Sequence, residues 1–330
     1  MEYRGVRTMR AALLMNPALT PFVFGRHECR RLEDLVDIDC AAASMSLDGI
    51  SNPVDVELLI TGWGVPELGH EVLDMLTSLR AIVHWGGGVG FIDPRFSARG
   101  VRVSSARAAN AVPVAEFTMA MITLAAKDAL WASRRYTAEQ RFIDREAEMP
   151  RTGLYGTTVG VVGASAIGSL VVEELARHDV RVLLYDPFTS ADAAARLGAE
   201  AVDDLTELAA RSDILSIHAP EIPSTVGMIS VAVLAALRDG ATLINTARGA
   251  LVDQQGLVAE LEAGRLRAIL DVTDPDVLPP GHALYTLPNV FLTPHLAGSM
   301  GNELKRLGHA ALAEVERFVA GTPFAHPMNA

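Results

Sequence analysis

Ten short apolar runs, each about one strand long, alternate with stretches of helical period from residue 11 onward: AALLM, VELLIT, RAIVHW, VRVSS, TVGVVG, VRVLLYD, ILSIHAP, ATLINT, RAILDV and VFLTPH. Such alternation specifies parallel sheets with helices on both faces. The first four runs end by about residue 105 and the other six span about 158 to 295, so two α/β domains are expected. Between them, residues 111 to 135 read as one long helix with Pro113 in its first turn, where proline is tolerated. The following segment, YTAEQRFIDREAEMPRTGLYG, is charged and reads as an exposed arm. The last helix, roughly 300 to 320, is expected to pack back on the first domain, which would then be built from both chain ends.

Composition narrows the class. Half of the 330 residues are hydrophobic, enough for a large core, and the apolar runs of about 5 to 8 residues fall short of the roughly 20 a membrane span needs. The arginine-bearing N-terminal segment is interrupted by Asn16 and Pro17 and has no small-residue cleavage site, so a cytoplasmic protein without a membrane partner is expected. Cys29 and Cys40 are too few for a disulfide framework. A net charge of -12 argues against nucleic acid, whose phosphates need clustered Lys and Arg. No metal site is expected.

GASAIG, residues 163 to 168, joins the run TVGVV to the helical stretch SLVVEELARH. A dinucleotide turn needs a strand, a tight glycine turn, a helix N-terminus aimed at the pyrophosphate, and an acidic residue about 20 positions on for the ribose hydroxyls. Gly163, Gly168 and Asp186 fit, with Asp186 ending VRVLLYD. A 2′-phosphate would face that carboxylate and no arginine follows in PFTS, so NAD is favoured over NADP. Ser165 stands at the second glycine position, where it either hydrogen-bonds a phosphate oxygen or crowds it. A nucleophile elbow, G-x-S-x-G, is excluded by Ile167.

Three further stretches sit at strand ends, where ligands of doubly wound sheets lie: INTARGALVD with Arg248, ILDVTDPDVLPP with Asp276 and LTPHLAGS with His295. Alone, each residue reads more readily as a solvated or paired charge, a turn former or a structural histidine. Together they suit a 2-keto acid: a guanidinium fork for carboxylate and carbonyl oxygen, an imidazole to exchange the proton, and a carboxylate to hold the imidazole.

With these motifs in place, the chain resembles the D-isomer-specific 2-hydroxyacid dehydrogenase family over nearly its whole length, through GGGVGFID, ANAVPVAEF, VGVVGASAIG, YDPF, IHAP, INTARGALVD, LDVTDPD and TPHLAGS. The resemblance implies two doubly wound parallel-sheet domains. One is a Rossmann NAD domain, 107–296. The other is a smaller, flavodoxin-like substrate domain, discontinuous over 1–106 and 297–330. It implies a homodimer through the NAD domains, domain closure over a substrate held between the domains, and hydride transfer between NADH and a 2-keto acid to give a D-2-hydroxy acid. Arg248 would bind substrate, His295 would be the acid/base, and Asp276 would stand where the family has glutamate. Being one methylene shorter, Asp276 reaches His295 by a stretched contact, a water bridge or a loop shift.

Gly87 and Gly88 of WGGGVG would hold the substrate carboxylate through backbone N–H groups. Without the resemblance that loop reads equally as a flexible turn. The cofactor set implied is Gly163, Ser165, Ala166, Ile167, Gly168, Asp186, His218, Pro220, Thr246, Ala247, Asp271 and Gly298. His218 would touch the cofactor either through backbone or through its ring. Trp85 and PALTPFVFG, residues 17 to 25, are candidates for the side-chain pocket. The alternative function is an NAD(H)-binding sensor or corepressor-like protein, motivated by the departures at Ser165 and Asp276. A formate or phosphite donor is disfavoured, because the family's formate enzymes carry glutamine at the position of Asp276; Asn110 matches both.

Overall fold

The computed structural model describes residues 9–328. Residues 1–8 of the segment read against a leader lie outside that range. The chain divides into two units, Met1–Ala111 with Ser299–Ala330, and Val112–Gly298, where the sequence reading placed the crossings at 106/107 and 296/297.

In the first unit four parallel strands, β1 (Ala11–Leu14), β2 (Leu58–Thr61), β3 (Ala81–His84) and β4 (Arg102–Ser105), lie in the order β1-β2-β3-β4, with Pro327–Met328 antiparallel on the edge of β4. Isolated parallel bridges Arg10↔Asp37 and Leu14↔Ser44 run along β1. They are the remnant of a strand on its outer edge, interrupted by the turn Cys40–Ala42, where Asp39 accepts from Ala41 N. With that remnant counted, the order is the flavodoxin-like one. Alternate strand residues serve opposite faces: Leu13, Leu58, Ile60 and Val83 enter one cluster, and Leu14, Leu59 and Ile82 the other. The helix Leu304–Val319 closes the first face with Leu304, Leu307, Ala311, Val315 and Phe318 at helical spacing. Gly308 permits this approach, since a Cβ there would lie 1.9 Å from Val23 O.

The second unit holds seven parallel strands: β5 (Thr158–Val162), β6 (Arg181–Tyr185), β7 (Glu200–Ala201), β8 (Ile214–Ile217), β9 (Thr242–Asn245), β10 (Arg267–Leu270) and β11 (Val290–Leu292). Their order is β11-β10-β9-β8-β5-β6-β7. It reverses between β5 and β8, which opens a ligand crevice at the carboxyl ends of those strands. The β7 and Pro327–Met328 strands escaped the sequence reading because a two-residue strand has no period to detect.

The long connecting helix differs from expectation. It starts at Arg107 and ends at Ala126, so Pro113 lies inside it and not in the first turn. A second helix, Ala129–Glu139, follows a break at Asp128, whose φ of 57° is left-handed and whose carboxylate pairs with Arg267. Against the expectation that no segment approaches span length, Arg107–Ala126 has 20 residues and mean hydropathy 1.3, long and apolar enough by those two criteria. Half of that stretch is buried, and Ala115, Met119, Ile122 and Ala125 pack with Val159 and Val161 of β5, as in the core helix of an α/β domain.

Candidate active site

Beyond β5 the backbone turns at Gly163, whose φ is +95°. A Cβ there would come within 2.8 Å of Ala219 N, so the tight turn against the β8 exit requires glycine. Gly168 is equally constrained: a Cβ would sit 1.9 Å from Gly163 O. Between them Ser165 caps the helix Ala166–Leu175, its Oγ accepting from Gly168 N at 3.2 Å. The side chain therefore turns toward the helix, a third possibility beside donating to a phosphate or crowding it, and its hydroxyl proton is left to donate elsewhere. The Ala166 and Ile167 N–H groups belong to the first turn, where no intrahelical acceptor exists, which is where an anion binds. Ser165→Ala should cost about 1 kcal/mol of stability and Ser165→Gly only a few tenths. Equal urea midpoints for both variants and the parent protein would remove the cap from the account.

Asp186 follows β6, half-buried. Its Oδ2 accepts from Ala164 N at 2.7 Å and its Oδ1 from Phe188 N at 2.8 Å, which ties the acidic residue to the glycine turn. Each oxygen keeps a lone pair for a ribose hydroxyl. At the β8 end, His218 is buried, with Nε2 2.8 Å from Ser216 Oγ and Nδ1 without a partner among the described residues. Burial lowers its pKa from 6.5 to about 3, so the ring is neutral and packs beneath the turn against Gly168. Pro220 O is engaged by Thr225 Oγ1, and buried Thr246 by Thr118.

Arg248 follows β9 and is exposed. The Asn245 side chain brackets it, accepting from Ala247 N at 3.0 Å and donating to Arg248 O at 2.9 Å. The next residue, Gly249, packs so closely on the loop after β10 that a Cβ would lie 2.1 Å from Thr273 C. That loop carries Asp276. Thr273 Oγ1 lies 2.8 Å from Pro275 O and 3.1 Å from Asp276 O, while Gln254 clamps Asp274 by accepting from its N at 3.0 Å and donating to its O at 2.7 Å. Asp274 thus acts through its backbone.

His295, after β11, has φ 54°, and its N donates to Asp271 O at 2.9 Å. Asp271 is buried and spends its carboxylate on the same loop, accepting from Thr293 Oγ1 (2.6 Å), Leu296 N (2.8 Å) and Ala297 N (2.9 Å). Three of about four acceptor positions are taken, so Asp271 first positions His295 and has one position left for a ligand. His295 Nδ1 stands 3.4 Å from Asp276 Oδ2, with the two side chains 48% and 66% exposed. The shorter carboxylate thus reaches the ring by a long direct contact. Asn245, Gln254 and Thr273, which hold Arg248 and Asp276 in place, were missed in the sequence; their signal is only a polar side chain near a strand end.

In the first unit, the glycine loop follows β3. Ser105 Oγ lies 2.7 Å from Gly87 O, a Cβ on Gly87 would meet Asn110 Nδ2 at 3.5 Å, and one on Gly88 would meet open space. Trp85 does not line a surface: it is fully buried in the core, where a Cβ on Gly62 would lie 2.1 Å from its ring. In the segment 17 to 25, Val23 and Phe24 are likewise core, leaving Phe22 exposed.

Residues 119–297 match the family model described as D-isomer specific 2-hydroxyacid dehydrogenase, NAD binding domain. The D-3-phosphoglycerate dehydrogenase of Methanocaldococcus jannaschii is 30% identical over 296 residues, 88% of this chain and 55% of that protein. The glyoxylate reductase of Thermofilum pendens is 33% identical over 256 residues, 74% of this chain and 73% of that one. The crystal structure of D-lactate dehydrogenase from Aquifex aeolicus, complexed with NAD and lactic acid, superposes with a TM-score of 0.73 at 25% identity, covering 94% of this chain and 95% of that one. The chain spans about half the length of the phosphoglycerate dehydrogenases it matches.

Proposed function

This chain belongs to the D-isomer-specific 2-hydroxyacid dehydrogenase family, and from that premise we propose that it reduces a 2-keto acid to a D-2-hydroxy acid with NADH, or runs the reverse. The observation that carries this reading is His295 Nδ1 facing Asp276 Oδ2 at 3.4 Å beyond the ends of β10 and β11, with Arg248 beyond β9. NADH, when bound, supplies the hydride that reaches the carbonyl carbon. The Arg248 fork pairs with the substrate carboxylate and carbonyl oxygen. His295 gives the carbonyl oxygen its proton from Nε2, while Asp276 on the opposite ring nitrogen orients the ring. Asp271 fixes the loop so that the ring does not swing away. Within the first unit, the backbone N–H groups of Gly87 and Gly88 are the donors suited to a carboxylate.

The residues at the crevice suit a dinucleotide: glycines where side chains would collide, a capped helix N-terminus, and Asp186 held at the ribose position. The Asp186 charge, with no cation in Pro187–Ser190, supports NAD over NADP. Consumption of NADH and NADPH against a panel of 2-keto acids tests the reading. Turnover favouring NADH is expected; NADH binding with silence across the panel would favour the sensor. The two departures that motivated the sensor have structural roles here, Ser165 as a helix cap and Asp276 as the partner of His295.

Asp276→Asn should lower kcat/KM for reduction about tenfold or less, because both side chains are partly exposed and solvent screens the pair. Losing the carboxylate removes the contact that orients the His295 ring, so the loss should appear in kcat more than in KM. Kinetic constants equal to the parent's would remove Asp276 from the mechanism. The reading also includes a cytoplasmic homodimer through the NAD-binding units, supported by exposed Tyr136, Phe142 and Tyr155 on the arm and testable by light scattering.

A further inference from the structure

We propose that Trp63, seated over the glycine loop of the first unit, selects the substituent that the keto acid carries beyond its carbonyl, and that it selects an uncharged, apolar or aromatic one. This rests on the dehydrogenase reading and on the loop as the carboxylate site.

The indole lies against the loop because residue 86 has no side chain. A Cβ on Gly86 would meet Trp63 Nε1 at 2.6 Å and His84 Nε2 at 2.4 Å. Trp63 is braced from below by Trp85, with ring centroids 4.9 Å apart at 65°. Since Trp85 is fully buried, the brace is fixed, while Trp63 itself is 36% exposed and offers the rest of its ring to a ligand. Beside it, a Cβ on Gly64 would touch Met45 Cε at 3.1 Å, and Met45 is itself exposed. A flat aromatic ring and a flexible thioether therefore flank the loop.

The charge of this surface decides against an anionic substituent. The stretches that form it, 43–47 (ASMSL), 61–65 (TGWGV) and 84–90 (HWGGGVG), contain no Lys or Arg. Their one basic group, His84, is buried with Nδ1 2.9 Å from Thr61 Oγ1, and burial lowers its pKa to about 4, so it carries no charge at neutral pH. A phosphate or second carboxylate placed here would lose hydration without gaining a guanidinium or ammonium partner. A relative named for D-3-phosphoglycerate is similar to this chain overall, yet these three stretches supply no cation for a phosphate. The competing candidate is Arg107, which is exposed and whose N donates to the Ser105 Oγ that lies beside the loop.

The test is the steady-state kinetics of the full chain with NADH and five keto acids: pyruvate, 4-methyl-2-oxopentanoate, phenylpyruvate, oxaloacetate and 3-phosphohydroxypyruvate. The parent protein should show kcat/KM for the two bulky apolar acids at least tenfold above pyruvate, and at least a hundredfold above the two anionic ones. Trp63→Ala should lower kcat/KM for the bulky apolar acids tenfold or more, mainly through KM, while pyruvate changes less than threefold. Trp63→Phe should keep most of the preference, which guards against an alanine variant that folds poorly. Arg107→Ala should leave the ranking unchanged.

Preference for an anionic substrate, an equal loss on all five acids in both Trp63 variants, or a changed ranking in Arg107→Ala would overturn the assignment to Trp63 while leaving the dehydrogenase reading intact. Silence on all five acids with NADH still bound would instead overturn both.

Discussion

Arg248→Ala is expected to lower kcat/KM about 10²- to 10⁴-fold while NADH affinity stays within about threefold of the parent, because two hydrogen bonds to a charged group are worth roughly 3 to 6 kcal/mol together. The variant should fold. Arg248 is exposed, and among the described residues its Nη1 bonds the carbonyl of its chain neighbour Ala247. The turn that carries it is held by the Asn245 side chain and by the fit of Gly249 against Thr273, and neither of these needs the guanidinium. Arg248→Lys should recover little, since an ammonium cannot reproduce the planar fork. Stopped-flow NADH binding beside steady-state turnover separates the roles. Loss of NADH affinity with kcat preserved would reassign Arg248 to the cofactor.

Acid should weaken both units. His84 in the first and His218 in the second are neutral in the fold because burial lowers their pKa values from 6.5 to about 4 and about 3. The unfolded chain takes up these protons near pH 6.5 and the folded chain does so only near 4 and 3. Stability from these groups is therefore fully present above pH 6.5 and is lost as pH falls through the interval. Each histidine contributes a slope of about 1.4 kcal/mol per pH unit there. From pH 7 to 4.5 the loss should reach roughly 2 to 3 kcal/mol in each unit, a large share of the 5 to 15 kcal/mol typical of a folded domain. Urea denaturation at several pH values measures it, and His84→Asn or His218→Asn should each remove most of the slope of its own unit. A midpoint that does not move between pH 7 and 4.5 would falsify the linkage.

Much of this was legible before any coordinates. All ten apolar runs contain a strand, because strands of parallel sheets are buried on both faces and read as unbroken apolar stretches. The glycine turn and its acidic residue were legible because steric necessity leaves only glycine at Gly163 and Gly168. Where the reading failed, local pattern was outweighed by distant contacts. The run 111 to 135 looked like one helix, but Asp128 leaves helical conformation to pair with Arg267, far along the chain. Trp85 looked like a pocket residue because it adjoins the glycine loop, yet strand alternation turns it into the core and leaves Trp63, from another strand end, beside that loop.

The sequence by itself determined the two α/β units and the dinucleotide turn, and it marked Arg248, Asp276 and His295 as candidates. The first two follow from period and local sterics, the candidates from their shared place at strand ends and from the family resemblance. Tertiary structure alone decided that Ser165 caps a helix, that a shortened carboxylate still reaches His295, that Asp271 and Gln254 hold the loops carrying His295 and Asp276, and that His84 and His218 are neutral. These depend on which distant strand ends the sheet order makes neighbours and on how completely packing removes water. Neither is written in the vicinity of the residues concerned.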